Sequence, residues 1–119
     1  MAAGQGRVSG AAGDVYLAWS TCPDEGTARR IAARLVEERL AACVNIVPDM
    51  TSIYRWQGAV ETAAECLLML KTGGERLADL ERRLVELHPY DVPEFLAVAV
   101  EGGSAAYLGW VVEETGPEA

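Results

Sequence analysis

The sequence predicts one α+β domain with a four-stranded antiparallel sheet, two main helices on one face and an extra C-terminal helix. The chain has 119 residues, half of them apolar, which is enough for a single core. Apolar spacing alternates between strand and helix periods in the order strand, helix, strand, strand, helix, strand, helix. This order is typical of a ferredoxin-like βαββαβ fold, and right-handed crossovers place both main helices on the same side of the sheet.

Residues at both ends differ in composition from the central part of the chain. Residues 1–13 are small and polar and carry one charge, so we predict a flexible N-terminal tail. Residues 14–116 form the predicted ferredoxin-like domain, and residues 117–119 form a C-terminal tail. The domain begins with a strand over 14–21, which mixes β-branched, aromatic and leucine residues without a helical period. A helix capped by Asp24 follows and ends near position 40.

The middle of the chain predicts a long β-hairpin. Strands over 42–56 and 59–72 flank Gln57-Gly58, a dipeptide suited to a tight turn. Proline cannot donate to the strand ladder, so Pro48-Asp49 predicts a bulge or bend within the first of these strands.

The last third predicts a helix, a strand and a second helix. Leucines at helical spacing share one face over 75–88, and Pro89 stops that helix. The apolar segment 92–100 predicts a strand. Ser104 is positioned to cap a short helix over 105–115.

Both faces of the sheet are predicted to be apolar. The segments VYLAW, CLLML and FLAVAV are apolar at successive positions, whereas a strand with one solvated face would alternate. Two helices cover one face, and no further segment is large enough to cover the other. We therefore expect an obligate homo-oligomer in which the open faces pack together.

Charge and cysteine content restrict the partners and the compartment. A net charge of −8 argues against nucleic acid or an anionic membrane as a main partner. We find neither a signal-peptide pattern nor an apolar run long enough to span a bilayer. Three cysteines without a CxxC unit fit reduced thiols in the cytoplasm. Cys43 and Cys66 lie in apolar, strand-like segments and are expected in the core.

The order and separation of four segments resemble the CutA family of divalent-cation tolerance proteins. These segments are RLAACVN, TSIYRWQG, LMLKT and HPYDVPE, and the resemblance extends over about 15–112. It implies a ferredoxin-like fold, a tight homotrimer built around the long hairpin, and a role in tolerance of copper and other divalent cations. Asp49 departs from the family, where glycine often stands.

The resemblance also implies candidate metal ligands. Copper ligands proposed in bacterial members are a cysteine at the end of the first strand and two adjacent histidines at the end of the second helix. Here Ser20 and Leu87 stand at two of these positions, His88 remains, and Cys22 is a substitute candidate two residues further along. The alternative is that His88, which is the sole histidine and precedes Pro89, simply ends the helix.

Several polar and aromatic residues predict a second kind of site. Charged groups on an apolar strand at a subunit contact need partners, so we expect them to pair across the interface or to line a polar cleft. The predicted inter-subunit pocket, for a small molecule or an anion, consists of Tyr54, Trp56, Glu65, Lys71, Tyr90 and Glu94. The alternative is that these side chains hold the subunits together.

The sequence contains no GxSxG, HExxH or P-loop signature, so we expect no enzymatic activity. Two other functions remain open. One is a small-molecule sensor resembling the trimeric PII signalling proteins, although their long loop between the middle strands has no counterpart here. The other is a stable trimeric scaffold for protein partners.

Overall fold

The computed structural model describes residues 14–117, which form a four-stranded antiparallel sheet and three helices. The elements are β1 (Val15–Cys22), α1 (Glu25–Glu37), β2 (Cys43–Trp56), β3 (Ala59–Gly73), α2 (Leu77–Leu87), β4 (Leu96–Ala99) and α3 (Ala105–Thr115). The sheet order β2-β3-β1-β4 is that of the predicted ferredoxin-like βαββαβ fold. The predicted N-terminal tail and positions 118–119 lie outside the described residues.

The core lies between the sheet and the helices α1 and α2. Leucines from α1, α2 and β3 are fully buried there, namely Leu35, Leu80, Leu84, Leu68 and Leu70. Burial of each such side chain contributes about 1.5–3 kcal/mol before entropy is subtracted. This layer confirms that both main helices pack on one face.

Side chains cap α1 and α3 at the predicted positions. Asp24 Oδ1 accepts a hydrogen bond of 2.8 Å from the backbone N–H of Thr27. This bond lowers the pKa of Asp24, because it stabilises the carboxylate form. Ser104 Oγ accepts from the N–H of Tyr107 at 3.3 Å.

The β2-β3 hairpin extends well beyond the rest of the sheet. Its two-residue turn, Gln57-Gly58, has positive φ angles of 50° and 85°, as predicted for a tight turn. β1 pairs with β3 only from Cys66 onward, so residues 50–65 form a two-stranded projection, here called the hairpin arm. A register shift between Val47 and Met50 confirms the predicted bulge.

The last strand is shorter than the predicted 92–100. β4 contains only Leu96–Ala99, and residues 88–95 form a loop between α2 and this strand. Pro89 and Pro93 lack the N–H that a strand ladder requires, so pairing begins after both of them.

The sheet face opposite α1 and α2 is apolar and largely uncovered, and we call it the open face. Strand alternation and pairing place six apolar side chains on it: Leu17, Trp19, Leu67, Met69, Leu96 and Val98. The two in β4, Leu96 and Val98, are 61% and 49% exposed. The prediction of two apolar faces is therefore confirmed.

The helix α3 anchors against one end of β3. Thr115 Oγ1 donates to the carbonyl of Val111 at 2.8 Å and accepts from the N–H of Gly73 at 3.1 Å. A Cβ at Gly73 would lie 2.9 Å from Thr115 Oγ1, so the close approach requires glycine. Within residues 14–117, no helix is long and apolar enough to cross a membrane.

Candidate functional site

His88 ends α2 in a buried position with hydrogen bonds at both ring nitrogens. Its Nε2 lies 2.7 Å from the carbonyl oxygen of Thr21, which accepts only, so Nε2 carries the proton. Its Nδ1 accepts from the N–H of Tyr90 at 3.1 Å. The imidazole is 8% exposed and fastens the loop after α2 to the end of β1. This arrangement fits the alternative interpretation, in which His88 has a structural role.

Cys22 lies beside His88 but is held as a thiol. Its Sγ is 3.8 Å from His88 Nε2, and the side chain is fully buried. Burial, assisted by the adjacent Cys66, raises the pKa of Cys22 to about 12. Because the thiolate is the metal-binding form, a metal here would have to displace both a proton and the bond from His88 to Thr21.

The other two positions of the implied copper site, Ser20 and Leu87, do not complete a set of metal ligands with His88. Ser20 and Cys22 point to the same side of β1, as expected, and Ser20 Oγ is buried without a hydrogen-bond partner among the described residues. Leu87 packs against the core. Across residues 14–117, no three His, Cys, Asp or Glu side chains are arranged to hold a metal ion.

Cys43 does not lie in the core, where the sequence predicted it. Cys66 is buried, whereas Cys43 is partly exposed at the start of β2, with its Sγ 4.0 Å from Lys71 Nζ. Cys43 pairs with Lys71, which places it on the open face rather than under the helices.

A cleft of about 580 Å³ lies where the hairpin arm meets the loop after α2. Five of the six residues predicted to form a pocket line this cleft within one chain: Tyr54, Trp56, Glu65, Tyr90 and Glu94. Tyr54 and Trp56 come from β2, Glu65 from β3, and the other two from the loop. We call it the arm cleft. Its volume is within the range of small-molecule sites.

Glu65 and Tyr90 join the arm to the loop. The Tyr90 hydroxyl donates a hydrogen bond of 2.8 Å to Glu65 Oε2, and Glu65 is 9% exposed. Burial, and then the hydrogen bond to this carboxylate, raise the pKa of the Tyr90 hydroxyl well above its usual range. The tyrosine therefore keeps its proton and remains a hydrogen-bond donor at neutral pH.

Lys71 does not line the arm cleft. It lies on the same side of β3 as Glu65 but six residues further along, about 20 Å at the rise of a strand. Its Nζ is instead 5.8 Å from the centre of the Tyr107 ring on α3. Lys71 therefore shares a face of β3 with Glu65 but does not contribute to this cleft within one chain.

Sequence reasoning also missed residues of the cleft. Thr21, Ser52 and Asp91 contribute to its lining, and the carbonyl of Thr21 also fixes His88. Asp91 stands three residues before Glu94 in the same loop. This short separation could have predicted that both carboxylates line the same cleft.

The fold and cleft define a small ferredoxin-like protein with an extended central hairpin, an open apolar face and an acidic, aromatic cleft. The family description "CutA1 divalent ion tolerance protein" matches residues 16–114. The chain belongs to this CutA1 family, as its sequence motifs indicated.

Individual relatives and solved structures agree with this assignment. The chain is 54% identical over 96 residues to the divalent-cation tolerance protein CutA of Thermus thermophilus, covering 81% of this chain and 93% of that protein. It is 45% identical to mouse protein CutA, covering 96% of this chain but 63% of the longer mouse protein. The crystal structure of CutA from Xylella fastidiosa superposes with a TM-score of 0.85 at 48% identity, covering 87% of this chain and 99% of that one.

The names of these relatives do not refer to a reaction. The proteins from Thermus thermophilus, mouse and Xylella fastidiosa carry CutA or cation-tolerance names, and none of those names is that of an enzyme. The names of further relatives refer to different compartments. A rice homologue is called chloroplastic and an Archaeoglobus fulgidus structure is called periplasmic.

Proposed function

We propose that the chain contributes to tolerance of copper and other divalent cations as a cytoplasmic homotrimer that binds such cations weakly and catalyses no reaction. The observation that carries this proposal is the family match over 16–114, together with relatives named for divalent-cation tolerance. Three free cysteines support a reducing compartment.

Self-association is supported by surfaces that one chain leaves uncovered. The open face exposes Leu96 and Val98, and the hairpin arm exposes Ile53 and Val60 by 70% and 65%. β2 and β4 are the two edges of the sheet, so both have backbone groups available for pairing with another chain. A second and third copy would bury these apolar groups, which is the strongest physical drive to assembly that the chain offers.

Weak metal binding follows from the state of the candidate ligands. Imidazole and thiolate are suitable ligands for copper and zinc. However, a metal at His88 must replace its bond to Thr21, and one at Cys22 must remove a proton from a thiol whose pKa is about 12. Both costs reduce the affinity of a site that already has few ligands.

Calorimetric titration with copper and with zinc tests the role of His88. We expect weak binding to the wild type, loss of this binding in His88→Ala, and tighter binding in Leu87→His, which supplies the adjacent histidine of bacterial family members. Identical isotherms for the wild type and His88→Ala would remove His88 from the site. Circular dichroism of each variant verifies that it is folded.

Two further measurements test the assembly and the cellular role. Light scattering after size exclusion should give about three times the 12.7 kDa chain mass, and a stable monomer would contradict the assembly. In a host lacking its own CutA1-family protein, expression of the chain should improve growth under copper stress. Equal growth with an empty vector would contradict the tolerance role.

A further inference from the structure

We propose that the arm cleft is a binding site for a small organic ammonium cation. The cleft combines aromatic side chains with carboxylates, and no basic residue is among the described residues that line it. This inference concerns a different ligand and a different set of atoms from metal binding at His88, so each can fail without the other.

Aromatic groups on both sides of the cleft favour a cation. Tyr54 and Trp56 alternate along β2, so their side chains project from the same side of the arm. Tyr90 faces the cleft from the loop after α2. Within a single chain these three rings are 44%, 50% and 37% exposed, and they border the cleft. Electron-rich ring faces attract ammonium groups, most strongly quaternary ones with little hydration.

The charge of the cleft points to the same class of ligand. Glu65, Asp91 and Glu94 all contribute to the lining. Among the described residues none of them forms an ion pair, while the acidic residues Glu25, Glu38, Asp79 and Glu86 do. Glu65 gives the strongest indication of a cationic ligand, because a carboxylate that is nine-tenths buried normally has a cationic partner. The hydrogen bond to Glu65 comes instead from the neutral Tyr90 hydroxyl. A bound ammonium ion would supply that charge.

The spacing of the carboxylates favours an organic cation over a metal ion. A divalent metal needs several oxygen ligands within about 2.0–2.6 Å. Within residues 14–117 no group of three acidic, cysteine or histidine side chains meets that need. A cleft of about 580 Å³ with separated charges and aromatic sides suits a ligand several atoms across.

The test uses choline as a probe, with its neutral isostere, in which a quaternary carbon replaces the nitrogen, as the matched ligand control. Binding to the full-length protein is followed by tryptophan fluorescence and by calorimetry, with EDTA present so that divalent cations do not contribute. We expect saturable choline binding, with the neutral isostere and citrate bound at least about tenfold more weakly.

Variants then locate the site. Glu65→Gln, which keeps the shape and the acceptor for Tyr90, should weaken choline binding about tenfold. Trp56→Leu, on the exposed arm, should also weaken it, with calorimetry as the readout. The control Glu37→Gln makes the same charge change on the exposed surface of α1 and should leave binding unchanged. Metal titration of Glu65→Gln should match that of the wild type.

Three results with choline would each overturn the proposal. They are absence of choline binding by the wild type at tens of millimolar, equal binding of choline and its neutral isostere, and equal affinity in the wild type and Glu65→Gln. Preferential binding of citrate would also overturn it and would favour an anion, which is one of the two ligand classes that the sequence left open for this pocket.

Discussion

His88 Nε2 donates a hydrogen bond of 2.7 Å to the carbonyl oxygen of Thr21, which joins the end of α2 to the end of β1 across 67 positions of sequence. The same ring accepts from the N–H of Tyr90 through Nδ1. One imidazole thus satisfies a buried acceptor and a donor that would otherwise be unpaired.

We therefore expect His88→Ala to lower the free energy of unfolding by about 1–3 kcal/mol, because the Thr21 carbonyl would lose its partner. Chemical denaturation measures this change. Val85→Ala is a control in the last turn of the same helix, at a position that is 43% exposed, and it should cost about 0.5 kcal/mol or less. A cost for His88→Ala no greater than that of Val85→Ala would contradict a structural role.

Tyr90 gives a prediction for alkaline pH. Its raised pKa means that the folded state favours the protonated phenol. The resulting stabilisation is fully present below the unfolded pKa of about 10 and is lost as pH rises through the folded pKa. Titration of phenolate absorbance in the folded protein should show a step above the ordinary tyrosine range. Tyr90→Phe should remove this step.

Two further variants test the cause of the raised pKa of Tyr90. Glu65→Gln should move the Tyr90 step to lower pH, because the amide lacks the charge that holds the phenol proton, while the burial contribution remains. Tyr107→Phe removes a tyrosine from α3 and should leave the step in place. Persistence of the step in Tyr90→Phe would show that another group produces it.

Much of the fold could be predicted because local patterns determine it. Asp24 and Ser104 predicted the helix starts, since a short polar side chain before a helical pattern bonds to the N–H three residues later. The Gln57-Gly58 turn and the open apolar face also followed from neighbouring residues. The extent of β4 did not, because Val92 and Phe95 are residue types typical of strands, while Pro93 prevents pairing.

The candidate site was less predictable because it depends on how separate segments meet. Strand alternation placed Lys71 on the same face as Glu65, but the face alone does not give the position along a strand of 15 residues. Which groups meet at the arm cleft depends on the loop after α2, whose path is fixed by the bond from His88 to Thr21. No local pattern encodes that bond.

Asp49 gives a prediction at the bulge of β2. Its φ of 59° lies in the left-handed region, which glycine adopts without a steric penalty. Aspartate tolerates this conformation better than a β-branched residue does. Asp49→Val should therefore lower the free energy of unfolding by about 1–2 kcal/mol, and Asp49→Gly should change it by about 0.5 kcal/mol or less. Equal stabilities for the two variants would contradict strain at this position.

The three cysteines should differ in their reaction with a thiol reagent. Cys43 is partly exposed, whereas Cys22 and Cys66 are 0% and 5% exposed. Burial raises the pKa of both buried thiols, that of Cys22 to about 12, so almost no reactive thiolate is present at mildly alkaline pH. Mass spectrometry after brief alkylation should find label on Cys43 first, with Cys22 and Cys66 labelled only after denaturation.

Cys43→Ser is the matched control for this experiment and should abolish the early labelling of the native protein. Cys22→Ser should leave that labelling unchanged, because a buried thiol contributes nothing to it. Rapid labelling of Cys22 in the native chain would contradict its burial. It would also mean that a thiolate is available beside His88. One of the two energetic costs of metal binding would then be absent, and we would expect tighter binding at that pair of residues.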